Sequence, residues 1–186
     1  MPPAPGSARH FALSALGGDR PGIVAGVTER LVAHGVNVED SRMAILRGHF
    51  AMVLVLSAPA AVDADALAAD LDAVGERLGL EAVLLREVPG LEAEASPAPS
   101  HVVTVYGADH PGIVHAVTAA LAELGVNVAD LQTRLVGEED RPLYVMVLEV
   151  ACPPGVDGAG VEAALGPAAS AQGVDVSVRA LERDAL

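Results

Sequence analysis

The sequence lacks lysine and tryptophan entirely, and its eleven basic residues are all arginine. Without lysine, the chain cannot form a Schiff base with a carbonyl substrate or contain a phosphate-binding loop of the G-x-x-x-x-G-K-[ST] type. Its two phenylalanines and two tyrosines offer few surfaces on which nucleic-acid bases could stack. The formal net charge of −14 opposes association with a phosphate backbone or an anionic membrane. Composition therefore predicts no direct nucleic-acid binding and no membrane association.

Cysteine and long apolar segments are also scarce. Cys152 is the single cysteine, so the chain cannot form an internal disulfide, and this favours a reducing compartment. No apolar run approaches the ~20 residues needed to span a bilayer. The N-terminal segment lacks the cationic start and apolar core of a secretory signal. We therefore expect a cytoplasmic protein.

An internal repeat organises the chain. The segment Asp-Arg-Pro-Gly-Ile-Val begins at Asp19 and recurs 90 residues later as Asp-His-Pro-Gly-Ile-Val. The segment Gly-Val-Asn-Val begins at Gly35 and recurs at the same distance, and residues 19–40 match their counterparts at 13 of 22 positions. A four-residue insertion within residues 137–142 increases the distance to 94 in the later part of the repeat. Such self-similarity indicates a tandem duplication.

Each copy has the same order of predicted elements. The apolar residues 10–16, and residues 101–106 in the second copy, lead into glycine as buried strands do. A helix follows, with proline expected at its first position and a glycine, Gly35 or Gly125, at its end. Two strands, a second helix and a last strand complete each copy. In the second copy, Gly166-Pro167 is expected to interrupt the second helix.

The order βαββαβ in each copy is that of ferredoxin-like folds. We therefore predict an α+β protein of two tandem ferredoxin-like domains, each with a four-stranded antiparallel sheet and both helices on one face. The predicted boundaries are residues 8–88 for the first domain, 89–99 for a linker rich in Pro, Ala and Glu, and 100–183 for the second domain. A domain of this size with one bare sheet face is marginal alone, so we expect the repeats to pair, within one chain or as a homodimer.

The loop before the first helix of each copy carries groups that suit an α-amino acid. Unsatisfied backbone N–H groups and the helix dipole attract a carboxylate to a helix N-terminus. Asp19 and Asp109 could accept an ammonium group, and Asn37 and Asn127 could both donate and accept hydrogen bonds. The same residues also fit structural roles, because acids bond to loop amides, glycines allow tight packing and asparagines form turns. The residues alone leave both interpretations open.

These motifs resemble the ACT domain, a regulatory module that binds small molecules, most often amino acids, in many metabolic enzymes. The resemblance covers nearly the whole chain apart from the N-terminal tail and the linker. In serine-binding ACT domains, the ligand is held by the residue two before the motif proline, by the asparagine of Gly-Val-Asn, and by a histidine further upstream in the loop. That histidine is replaced here by Gly17 and Gly107. The predicted ligand-binding residues are Asp19, Arg20, Pro21, Gly22, Ile23, Asn37, Asp109, His110, Pro111, Gly112, Ile113 and Asn127.

Catalytic and metal-binding motifs do not accompany these loops in the sequence. The six histidines form no H-x-x-x-H pair, and no G-x-S-x-G segment is present. We therefore predict a protein that is not an enzyme and has no metal and no cofactor. We expect it to bind a small molecule, an amino acid such as glycine or serine, and to regulate amino-acid metabolism through a partner protein, with transcription as one level of control. The alternatives are a ligand-free module for dimerisation or protein interaction, and a remnant related to formyltetrahydrofolate deformylase.

Overall fold

The computed structural model describes residues 8–89, 97–137 and 142–181. The chain divides into two compact units, Met1–Glu94 and Ala95–Leu186. Most of the predicted linker, the insertion in the second copy and the last residues of the predicted second domain lie outside the described residues. The exact domain boundaries therefore stay a prediction.

Each unit contains the predicted βαββαβ order. The elements of the first unit are β1 (Arg9–Gly18), α1 (Ile23–Ala33), β2 (Asn37–Leu46), β3 (His49–Ala58), α2 (Ala64–Leu78) and β4 (Leu80–Val88). Those of the second unit are β5 (His101–Gly107), α3 (Ile113–Glu123), β6 (Asn127–Val136), β7 (Leu143–Ala151), α4 (Gly158–Gln172) and β8 (Val174–Ala180). The strand order is β2-β3-β1-β4 in one sheet and β6-β7-β5-β8 in the other, and all pairs are antiparallel. The predicted fold class is confirmed.

The core of each unit lies between the helices and one face of the sheet. In the central strand β1, the alternate residues Phe11, Leu13 and Ala15 are buried, which is the period-two pattern of a sheet with one covered face. In α1 the buried residues are Ile23, Val27 and Leu31, spaced so that they form one stripe along the helix. The second unit repeats this arrangement with its own cluster. Among the described residues, no helix is long and apolar enough to cross a membrane.

The sequence predicted that each motif proline occupies the first position of its helix, and this prediction is wrong. Helix α1 begins at Ile23 and α3 at Ile113, and the residues that precede them, Gly22 and Gly112, are the N-caps. Their φ angles of 95° and 106° belong to the left-handed region, which glycine adopts without steric cost. The chain therefore needs the glycine to turn into the helix, and the proline lies in the turn before it.

The predicted interruption of the fourth helix is also wrong. Helix α4 runs continuously from Gly158 to Gln172 with Pro167 inside it. Pro167 lies on the exposed side, and the residue four positions earlier is exposed too, so water can bond to the carbonyl that loses its N–H partner. The buried stripe Val161, Leu165 and Ala169 continues past the proline and holds the helix on the sheet. Tertiary packing thus overrides a poor local propensity.

Candidate functional site

The first motif loop is exposed and rests on a neighbouring hairpin. Asp19, Arg20, Pro21 and Gly22 are all exposed between the end of β1 and the start of α1. The backbone N–H of Asp19 donates a hydrogen bond of 2.9 Å to the carbonyl oxygen of Gly48, in the β2–β3 turn. Within the described residues, no hydrogen bond or ion pair engages the Asp19 carboxylate. The backbone of the loop is therefore held in place while its acidic group faces solvent.

The N-terminus of α1 is open to a ligand. In the described part of the chain, no side chain caps this helix, and its first turn contains no acidic residue. A Cβ placed on Gly22 would meet no atom within 4 Å, so a small molecule can approach this backbone closely. Ile23, in contrast, is only 1% exposed as a whole residue, so neither its side chain nor its backbone is open to a ligand. Free N–H groups beside a carboxylate suit a zwitterion.

The second motif loop is partly occupied by the protein itself. A Cβ on Gly112 would lie 3.3 Å from the side-chain oxygen of Gln172, the last residue of α4. The His110 ring bonds to two carbonyl oxygens, with Nε2 2.7 Å from that of Gln172 and Nδ1 3.1 Å from that of Pro111. The side chain of Ile113 is buried, like that of its counterpart in the first unit. The two copies of the motif therefore differ in how easily a ligand can reach the helix.

Arg20 and His110 occupy equivalent positions, and both face the C-terminal end of the second helix of their unit. In the first unit, a Cβ on Gly79, the C-cap of α2, would lie 2.8 Å from Nη2 of Arg20. In the second unit, His110 bonds to the last carbonyl of α4. A cation at a helix C-terminus is favourable because it complements the dipole and the unpaired carbonyls. Both side chains thus have a structural role beside the predicted ligand contact.

The charge of His110 is expected to make the second loop sensitive to pH. Its hydrogen bonds to Gln172 and Pro111, followed by the nearby charge of Asp109, raise the pKa of His110 above its ordinary value of 6.5. Both acceptors are carbonyl oxygens, so both ring nitrogens can donate only in the imidazolium form. The resulting stability is fully present below the unfolded-state pKa and is lost as the pH rises through the higher folded-state pKa.

We therefore predict that the melting temperature of wild type exceeds that of His110→Gln most at pH 5.5, and that the difference shrinks as the pH rises to 8. His110→Arg places a permanently charged guanidinium at this position, as Arg20 does in the first unit. The difference in melting temperature between His110→Arg and His110→Gln should therefore not change with pH. Thermal melts at half-unit pH intervals measure the differences directly. A wild-type advantage that is constant or grows with pH would contradict this assignment.

Tyr144 lies beneath the second loop and was not among the predicted site residues. It begins the buried face of β7 opposite Gly107, and its hydroxyl donates a long contact of 3.8 Å to the sulfur of Met146. Burial, with a contribution from the charge of Asp109, raises the pKa of Tyr144. The equivalent residue in the first unit is Phe50. Alignment of the repeats reveals this Phe-to-Tyr difference, but only the structure brings the tyrosine near the acidic residue of the motif.

Asn37 and Asn127 lie far from the loop of their own unit. Asn37 starts β2 opposite Ser57, which in turn lies opposite His10 at the beginning of β1. The loop follows Gly18, eight residues along β1, which is a distance of about 26 Å at ~3.3 Å per residue. The Asn37 amide instead donates a 3.0 Å hydrogen bond to Glu39. The pairing of β5, β6 and β7 places Asn127 at the corresponding end of the second sheet.

Gly17 and Gly107, which replace the histidine of serine-binding relatives, leave no room for a side chain. A Cβ on Gly17 would lie 2.8 Å from the backbone Cα of Leu80 in β4. A Cβ on Gly107 would lie 2.8 Å from Val174 Cγ1 and 3.2 Å from the Cα of Val174. The last strand of each unit passes directly over this position, so neither loop can carry the histidine without moving that strand.

Known proteins resemble this chain over most of its length. The ACT domain family model matches residues 9–84 and 101–179. The glycine cleavage system transcriptional repressor of Escherichia coli is 30% identical over 162 residues, which is 85% of this chain and 83% of the repressor. A phosphoserine phosphatase from Mycobacterium tuberculosis is 30% identical over 168 residues, or 89% of this chain but only 39% of the enzyme. The crystal structure of an unknown protein from Galdieria sulphuraria superimposes with a TM-score of 0.77 at 30% identity, covering 94% of this chain and 99% of that one.

These similarities agree with the duplicated motif and with the two βαββαβ sheets. The family model matches once in each unit, on the strand–loop–helix segments described above. The chain therefore belongs to the ACT domain family, as a tandem ACT-domain protein similar to the glycine cleavage system transcriptional repressor.

Proposed function

We propose that this protein is a non-catalytic sensor that binds an amino acid at its motif loops and passes the signal to a partner protein. The observation that carries the proposal is the first loop, where an uncapped helix N-terminus, an open Gly22 and an exposed Asp19 carboxylate lie together. The N–H groups of α1 would hold the ligand carboxylate, and Asp19 would pair with its ammonium group. Glycine and serine are the first candidates because they are small enough for a short loop.

The first unit is the better binding site of the two. Gly22 faces open space, whereas Gln172 and His110 lie against the equivalent loop of the second unit. A ligand at Asp109 and Gly112 would have to displace the Gln172 side chain. Because Asn37 lies at the other end of its sheet, one ligand cannot contact Asp19 and Asn37 of the same unit. If Asn37 contributes to binding, it serves a loop other than its own, with the repeats paired within one chain or in a homodimer.

The proposed site can be tested by thermal shift with the twenty amino acids, glycine and serine first. A ligand at about 100 times its dissociation constant adds about 2.7 kcal/mol, a shift of several degrees for a domain of this size. We expect the shift to disappear in Asp19→Ala and to persist largely in Asp109→Ala. Asp72→Ala, which removes an exposed carboxylate of α2, is the matched control and should respond as wild type does.

Results that differ from this pattern have distinct meanings. A shift lost in Asp109→Ala but retained in Asp19→Ala would move the site to the second unit. A shift retained in both variants would overturn the loop site. No shift with any amino acid would favour the second candidate, a ligand-free interaction module, which the occupied second loop already supports for that unit.

Regulation through a partner protein is supported by the charge of the chain and by the similarity to a repressor. The similar Escherichia coli protein is a transcriptional repressor, and a net charge of −14 disfavours direct contact with DNA. We therefore propose cytoplasmic action on a protein rather than on DNA. Retardation of bare DNA by the purified chain in a gel-shift assay would argue against this route, as turnover of formyltetrahydrofolate would argue against a non-catalytic role.

A further inference from the structure

The first unit has a charged groove between its two helices, on the side away from the sheet. Helix α1 contributes one wall and α2 the other. The residues that line the groove are Glu29, Arg30, Asp70, Ala73, Val74 and Arg77. This groove is separate from the motif loop and from every residue predicted to bind a ligand.

Arg30 carries an unsatisfied hydrogen-bond donor in this groove. Its Nη2 lies 3.0 Å from a carboxylate oxygen of Glu29, while its Nε is buried and has no hydrogen-bond partner within the described residues. A buried donor without a partner is destabilising, and more so when the group is charged. The Arg30 side chain as a whole is 33% exposed, so it borders the groove, and an acceptor bound there reaches the buried Nε only if this side chain moves.

Arg77 reaches into the same groove from the other helix. Its Nη2 lies 3.9 Å from the position that a Cβ on Gly26 of α1 would take, so its guanidinium extends across to the opposite helix. Among the described residues, Arg77 forms no hydrogen bond or ion pair. The Asp70 carboxylate, which could have paired with it, lies 2.8 Å from His34 Nε2 instead. Two guanidinium groups thus border one groove. Of its two acids, Asp70 pairs with His34 and Glu29 pairs with Arg30, so Arg77 is the guanidinium without an acidic partner among the described residues.

The second unit provides an internal comparison. Residues equivalent to the charged groups of the groove, at shifts of 90 and 94, are Ala119, Ala120, Leu124, Ala164 and Ala171. Helices α3 and α4 pack on their sheet without any of these charges, and the buried stripes of the two units are otherwise alike. The fold therefore does not require the arginines, which belong to the first unit alone.

We propose that the groove between α1 and α2 binds a small oxyanion, a phosphate or carboxylate group, between Arg30 and Arg77. A planar guanidinium offers paired donors that match two oxygens of such a group, and two guanidinium groups from different helices form a clamp. Phosphate monoesters and organic acids share this chemistry. The site is independent of the motif loop and does not rest on the proposed amino-acid function.

Calorimetric titration with inorganic phosphate at constant ionic strength, balanced with sodium chloride, tests the site. We expect saturable binding to wild type and a loss of affinity of about tenfold or more in Arg77→Gln, because one arm of the clamp is removed. Arg77 is exposed, so this variant should fold; circular dichroism checks it. Arg86→Gln, an exposed arginine of β4, is the matched control and should bind phosphate as wild type does.

A parallel titration with acetate distinguishes the two sources of the oxyanion, since the tighter anion identifies the class of the natural ligand. Asp19→Ala should leave phosphate binding unchanged, which separates this site from the loop. Equal phosphate affinity in wild type and Arg77→Gln would overturn the proposal. So would an Arg77→Gln variant that melts lower but binds phosphate unchanged, because Arg77 would then serve only the C-terminal dipole of α2. Absence of saturable binding by both anions would overturn it as well.

Discussion

Replacing Leu13 with alanine is expected to lower the free energy of unfolding by about 3 kcal/mol, within the 2–5 kcal/mol typical of buried leucines. Leu13 is 0% exposed and lies in the central strand β1, opposite Leu54 of β3 and Leu85 of β4. Strands on both sides fix the backbone around it, so the cavity cannot collapse. A core shared by only one small sheet and two helices has few other contacts to compensate.

Urea denaturation of the full chain followed by far-UV circular dichroism measures this effect. Leu16→Ala is the matched control, because Leu16 lies in the same strand on the bare face and is 46% exposed. This substitution should lower the free energy of unfolding by less than about 1 kcal/mol. Both tyrosines, Tyr106 and Tyr144, belong to the second unit, so their fluorescence follows that unit separately. Equal destabilisation by the two leucine variants would contradict the assigned burial of β1.

Replacing Gly17 with alanine is expected to lower the free energy of unfolding by about 2–3 kcal/mol, because the added methyl group overpacks a well-packed site. The new Cβ would meet the backbone of Leu80 at 2.8 Å, and backbone cannot move aside as the end of a flexible side chain can. Gly18→Ala is the matched control, since a Cβ on Gly18 meets no atom within 4 Å and its φ lies outside the left-handed region. That variant should change stability by less than about 0.5 kcal/mol.

The same comparison bears on ligand specificity. One explanation of Gly17 is that a ligand-contacting histidine was lost there and that the position has no structural role. In that case Gly17→Ala would be as stable as Gly18→Ala, and Gly17→His would fold and carry the histidine found in serine-binding ACT domains. The structure predicts instead that both Gly17 variants are destabilised, because β4 occupies the space. Denaturation midpoints of the Gly17 and Gly18 variants decide between these outcomes. A stable Gly17→His variant would contradict the steric assignment and would favour a site of the serine-binding type.

The fold could be predicted from the sequence because the same strand and helix periodicities occur in both repeats. Alternating burial in β1 and the helical stripe of Ile23, Val27 and Leu31 are local periodicities, and a strand or helix expresses them wherever it lies. The expected interruption at Pro167 failed because the free energy of packing three apolar residues against the sheet is not a local property.

The candidate site was less predictable because its residues depend on register and on side-chain direction. The sequence predicted a site at the loop that includes Asp19 and Gly22, and the structure shows that this loop is exposed at the N-terminus of α1; that it binds a ligand stays a prediction. It grouped Asn37 with that loop, although antiparallel pairing puts the start of β2 at the far end of the sheet. It also missed Tyr144, whose approach to Asp109 follows from the pairing of β5 with β7.

By itself, the amino-acid sequence determined the tandem duplication, the βαββαβ order and the exposed motif loops, because each follows from residue types at fixed spacings. Only the tertiary structure decided that Arg20 and His110 face a helix C-terminus, that Gly17 must be glycine, and that Arg30 and Arg77 line the same groove. The physical reason is that these contacts join residues distant along the chain, and their partners are chosen by how helices and strands pack rather than by any local pattern.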